Sequence, residues 1–150
     1  MAKFIYRMQN ILNVKYKLED QAKTEFMLAN RKLQEEEAKL ENLKERKACY
    51  EEEGRLLLAS ILKLDEIKQN REAIVNMEEF IRRQMLRVDE AKRQVERKAA
   101  KLAELMQERK AQEKLKEKAF EQFLKEENAK ESKEIDELVS FTYGKRQRED

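Results

Sequence analysis

A heptad register runs through most of this chain and constrains its fold more than any other feature. From Ala22 the core-type positions step by four and three: Ala22, Phe26, Ala29, Leu33, Glu36, Leu40, Leu43, Lys47, Tyr50, Gly54, Leu57, Ile61 and Leu64. All but Glu36, Lys47 and Gly54 are apolar. A seven-residue apolar repeat keeps one seam of a helix facing a partner helix, so the two wrap around each other. A second seam reads Ile74, Met77, Ile81, Gln84, Val88, Ala91, Val95, Lys98, Leu102 and Leu105. The 150 residues include no proline and two glycines, and 44% are charged, which is the composition of long helices and coiled coils. Burial is therefore confined to seams, with no concave interior in which to do chemistry.

The periodicity predicts an all-α fold, a long antiparallel two-helix coiled-coil hairpin forming a single domain over 1–150. The first helix is expected over about 4–64, opened by a stripe of Phe4, Met8, Ile11 and Leu18 with Ile5 and Leu12 widening it. Gly54 reads as a soft point, costing up to about 1 kcal/mol relative to alanine. The pattern lapses between Asp65 and Arg71, so the turn is placed at about 65–71, with Asn70 capping a second helix over about 72–143. That turn sets residue 43 opposite about 91 and leaves the end of the second helix overhanging. Leu115, Ala119, Phe123 and Leu124 resume the stripe out of phase, which predicts a stutter near Arg109–Glu113. Ile135, Leu138, Val139, Phe141 and Tyr143 form a last apolar cluster, Gly144 reads as a helix stop, and 144–150 as a frayed tail.

Composition excludes several functions. There is no histidine, and Cys49 is the only cysteine, so sites built on His or paired Cys and Ser-His or Cys-His nucleophiles cannot be assembled. The two glycines, Gly54 and Gly144, make no phosphate loop. Runs such as Glu35–Glu37 and Glu51–Glu53 read as solvated helix faces, not catalytic acids. No catalysis, metal, cofactor or small-molecule substrate is expected. Basic and acidic residues number 34 and 32, a mixture that argues against nucleic acid as partner. The lone Cys49 reads as inert packing in a reducing compartment, hence a cytoplasmic protein. Residues 1–18 are basic and amphipathic, and read as helix running on into the seam rather than as a transit peptide or a membrane-surface helix.

Three segments carry a family resemblance. Phe4-Ile5-Tyr6-Arg7-Met8-Gln9-Asn10-Ile11-Leu12 resembles the opening of the flagellar type III export protein FliJ family. Met77-Glu78-Glu79-Phe80-Ile81 resembles that family's Tyr-x-x-Phe-Ile segment, with Met77 in place of the tyrosine. Glu131-Ser132-Lys133-Glu134-Ile135-Asp136-Glu137 resembles its Glu-x-Lys-x-apolar-Asp-Glu signature. The three occur in the family's order and cover essentially the whole chain.

That resemblance implies a stalk-like antiparallel coiled coil, similar to the central stalk of rotary ATPases. It implies a non-enzymatic accessory of flagellum assembly, and so of motility and chemotaxis, that binds the hexameric export ATPase and promotes its assembly. It further implies contact with the membrane export gate and with export chaperones, and a place at the inner face of the cell membrane held only through those partners. The segment around Phe80 is where the resemblance places the gate contact, so Phe80, Gln84 and Tyr50 are the candidate gate residues. Asp136 and Glu137, with Ile11 and Leu12 from the N-terminal end, are the candidate ATPase residues. Other readings stay open: a parallel dimer of unbroken helices acting as a scaffold, a chaperone-like hairpin clamping exported subunits, and the equivalent stalk of an injectisome.

Overall fold

The computed structural model describes residues 2–61 and 63–149, the last by its backbone alone. It is all-α: α1 spans Gln9–Ala59 and α2 spans Leu64–Glu149. The two helices pair antiparallel within one chain, since Asn70, Gln84 and Lys98 along α2 meet Tyr50, Glu36 and Glu25 in reverse order along α1. An unbroken helix is thereby excluded for this chain. Contacts divide the chain into two units, Asp20–Glu104 and Met1–Glu19 with Leu105–Asp150.

In the unit Asp20–Glu104 the heptad positions face inward as expected. Every seam position from Ala22 to Leu57, and from Ile74 to Leu102, is buried or half-buried. The seam ends early, however: Ile61 is 87% exposed and Leu64 78% exposed. The turn is not at 65–71, which is helical, and α2 does not begin at 72. Asp65 and Glu66 lie in the first turn of α2, where carboxylates oppose the positive end of the helix dipole. The polar run that marked a loop in the sequence is thus a helix start.

Asn70 caps nothing. It sits in the seam, its side-chain amide donating to the Tyr50 carbonyl at 2.8 Å, with its carboxamide oxygen above Gly54. A Cβ on residue 54 would lie 2.5 Å from that oxygen, so the missing side chain makes the niche into which Asn70 fits. The register follows from this contact and from Gln84 against Glu36 and Lys98 against Glu25. Leu43 shares a groove with Phe80 and Gln84, some ten residues short of the expected position 91.

In the other unit the apolar N-terminal stripe is not the seam. Met8, Ile11, Val14 and Leu18 are exposed, while Leu12, Lys15 and Glu19 face α2. Residues 2–8 are not helical, and Phe4 packs its ring on Phe120 and Phe123, with centroids 5.2 and 5.4 Å away. The facing positions of α2 are Leu105, Arg109, Gln112, Lys116, Ala119 and Phe123, an unbroken four-three-four-three-four spacing. There is no stutter: Leu115 and Leu124 are exposed. Polar side chains at three successive seam positions made a continuous register look like a phase slip.

Gly144 does not stop α2, since no described glycine has positive φ, and Arg146 and Arg148 complement the dipole of the last turn. The helix runs to Glu149, so the expected tail from 144 is helical over its described part, and Asp150 lies outside the described residues. Cys49 is exposed and is not packed as expected.

Candidate partner-binding surfaces

The seam of the unit Asp20–Glu104 carries a buried polar layer. Gln84 Nε2 donates to the Glu36 carbonyl at 2.9 Å and to its carboxylate at 2.5 Å. Lys32 and Lys39 reach the same carboxylate from the solvent side, at 2.9 and 3.5 Å. Hydrogen bonds from Lys32 and then Gln84 hold the Glu36 carboxyl down to about 2. A carboxyl depressed in the folded state stabilises it above the ordinary value of 4.5 and loses that contribution as pH falls through about 2. The melting temperature is therefore expected to fall between pH 4.5 and 2, and Glu36→Gln to flatten that segment of the curve. Parallel acid curves for the two proteins would contradict this.

Phe80 stands over this layer. It is 46% exposed and lines a shallow groove with Leu43 and Gln84, rimmed by Lys39, Arg83 and Arg87. Of the candidate gate residues, Phe80 alone presents its side chain. Gln84 is buried below it with its amide committed to α1, and Tyr50 is half-buried nearer the turn, beside Asn70. An aromatic anchor within a basic rim is a recognisable docking feature, since aromatic and arginine side chains dominate interface energetics. Seam analysis passes over the rim residues Lys39, Arg83 and Arg87 because none of them is a core position.

The second unit buries charge in place of apolar side chains. Arg109 forks onto Glu19, Nε to Oε2 at 2.7 Å and Nη2 to Oε1 at 3.1 Å, and its Nη1 reaches Glu113 at 3.2 Å. Tyr16 donates to the other Glu113 oxygen at 2.7 Å, and Lys15 meets Glu108 at 2.9 Å. The Tyr16 hydrogen bond, followed by the Arg109 charge, lowers the Glu113 carboxyl, and the same bond raises the Tyr16 hydroxyl. Bidentate guanidinium–carboxylate pairing fixes geometry as well as charge, which suits a seam short of apolar volume. Sequence reading missed this cluster, because charged residues at seam spacing look like lapses in the seam.

The candidate ATPase residues are dispersed. Leu12 is 1% exposed and lines the floor of a hollow together with Phe4, Tyr16 and Phe120, whereas Ile11 beside it is on the surface. Leu12 also lines that hollow with Glu113, and Asp136 lies twenty-three residues farther along α2, about 35 Å on. Asp136 and Glu137 are exposed, as is every position from 128 to 143. Within this stretch Ile135, Leu138 and Val139 share one face at i, i+3 and i+4. The positions that would continue the seam there read Lys130, Lys133, Glu137 and Ser140. The apolar stripe has thus left the α1-facing side of the helix.

Among the described residues no group of three or more His, Cys, Asp or Glu could hold a metal ion. No described helix is long and apolar enough to cross a membrane.

Comparison with known proteins agrees with this architecture. No curated protein sequence matches the chain. A solved structure described as that of a candidate YscO homologue from Chlamydia trachomatis superposes with a TM-score of 0.77 at 21% identity, covering 99% of this chain and 100% of that one. That likeness is one of fold. The family model described as flagellar FliJ protein matches residues 4–148, and the chain belongs to the FliJ family.

Proposed function

We propose that this protein is a non-enzymatic accessory of type III protein export, binding the hexameric export ATPase, promoting its assembly and linking it to the export gate. FliJ family membership over residues 4–148 carries the reading. The end of α2 supplies the ATPase contact: Asp136 borders an exposed apolar stripe that no described residue covers, and Glu137 lies on the opposite side of the helix. Ile11 contributes from a separate patch on α1, and Leu12 acts by holding α1 in place. Phe80 and its basic rim meet the gate, with Gln84 setting the backbone beneath and Tyr50 contributing near the turn. Export chaperones are further partners of the same surfaces, and the protein sits in the cytoplasm at the inner face of the membrane through them.

The test is ATP hydrolysis by the purified cognate export ATPase at concentrations that limit ring assembly. Several-fold stimulation is expected on adding the protein, lost with Asp136→Lys/Glu137→Lys while circular dichroism is unchanged. Absence of both stimulation and co-elution would overturn the reading. Phe80→Ala is expected to abolish binding of the gate's cytoplasmic domain, with a change in melting temperature of only a degree or two. A large thermal loss would make Phe80 a packing residue.

The solved YscO-type structure favours one second reading, the equivalent stalk of an injectisome. Stimulation of an injectisome ATPase in preference to a flagellar one would select it.

A further inference from the structure

The heptad pattern of α1 and the observed turn disagree, and the disagreement has a structure of its own. Core spacing continues past Leu57 to Ile61 and Leu64, both apolar. A hairpin that used every apolar position would bury them by moving α2 one heptad along α1. In the observed register they are instead 87% and 78% exposed.

Layer composition does not choose between these two registers. The observed one sets Asn70 at Gly54, Gln84 at the Leu40 and Glu36 level and Lys98 at the Phe26 and Glu25 level. Shifted by seven residues, Asn70 meets Ile61, Gln84 meets Lys47 and Lys98 meets Leu33. Each register mixes polar with apolar layers to a similar degree. A heptad shift also preserves the inward face of both helices, so it needs no rotation.

A slip would also break the ion pairs of Lys98 with Glu25 and Arg109 with Glu19, but two features of the observed register lie inside the seam near the turn and the Glu36 layer. The Asn70 carboxamide occupies space that any side chain on residue 54 would fill, and its amide reaches the Tyr50 carbonyl at 2.8 Å. Fourteen residues along α2, Gln84 repeats the gesture onto the Glu36 carbonyl at 2.9 Å. Both bonds go to main-chain oxygens of α1. Main-chain oxygens recur at every residue, so what marks this frame is the room over Gly54 and the further bond of Gln84 to the Glu36 carboxylate; seven residues along, Ile61 and Leu43 stand in those two places. A polar residue buried in a coiled-coil seam commonly specifies register at some cost in stability.

We infer that the Gly54–Asn70 niche is a register latch: it holds the hairpin in the frame that presents Ile61 and Leu64 at the turn, against a folded frame one heptad along that buries them. The unlatched frame extends α1 through Leu64 and unwinds the exposed start of α2 at Asp65 and Glu66. The latch thereby decides whether the turn shows an apolar surface.

Spin labels at Glu45 and Arg97, both exposed, report the frame in a Cys49→Ser background. Seven residues of shift bring these positions closer by about 10 Å along the axis. The native sequence is expected to give one distance. Gly54→Leu, which fills the niche, and Asn70→Leu, which gives Ile61 an apolar partner, are each expected to add or switch to the shorter distance with helicity retained. Adding Asn70→Ala to Gly54→Leu reopens room at that layer and should return the longer distance. The native distance alone in both single variants would overturn the inference. Loss of helicity in both would overturn it equally, since the second frame must itself be folded.

Discussion

Leu12→Ala is expected to destabilise the protein by about 2–3 kcal/mol, toward the lower end for a buried leucine because a two-helix seam closes partly over a cavity. Leu12 is the one described side chain that is fully buried, in a unit whose other facing residues include Lys15, Glu19, Arg109 and Lys116. With so little apolar volume nearby, no neighbour can substitute for it. The hollow around it also receives Phe4, so its loss should release residues 2–8 from Phe120 and Phe123. Denaturant unfolding measures the first effect, and protease sensitivity near the N-terminus the second. Stimulation of the export ATPase should survive well below the variant's melting temperature. A folded Leu12→Ala protein that fails to stimulate would return Leu12 to the contact surface.

Gly54→Ala is expected to change sign with its surroundings. On an isolated helix the substitution stabilises by about 1 kcal/mol. Here the new methyl group displaces Asn70, and a buried amide left without its partner costs about 1–3 kcal/mol. The net effect in the native background is a loss of stability. In an Asn70→Ala background the same substitution should stabilise, because the obstacle is gone and the helix propensity remains. The coupling between the two positions is then about 2 kcal/mol, within the range for side chains in contact. A stabilising Gly54→Ala in the native background would mean that Asn70 swings clear without penalty, and the latch would lose its foundation.

These two residues mark where sequence reading stops. Ala22 through Leu57 and Ile74 through Leu102 were legible as inward faces because helix geometry alone maps seven-residue spacing onto one side. The exposure of Phe80, one step off the seam at Ile81, followed from the same geometry. So did the exposure of Asp136 and Glu137, in a stretch with no opposing heptads. Gln84 and Leu12 went the other way. Gln84 is a seam position that the family resemblance assigned to the gate, and it is buried; apolar neighbours at Ile11 and Met8 concealed that Leu12 is the deepest residue of its unit.

The heptads by themselves determined that this chain forms long helices packed along a seam, and which side is buried from Ala22 to Leu57 and from Ile74 to Leu102. Those properties are local: each residue's face depends only on its position along its own helix. The register, the turn between Ala59 and Leu64, and the choice of Lys15, Glu19 and Arg109 as facing residues were decided only in the tertiary structure. They depend on which residue meets which across the seam, and a seven-residue repeat is degenerate to a seven-residue slip. The fit of Asn70 over Gly54 lifts that degeneracy, through a missing Cβ on one helix and an amide on the other whose complementarity exists only once the two are side by side.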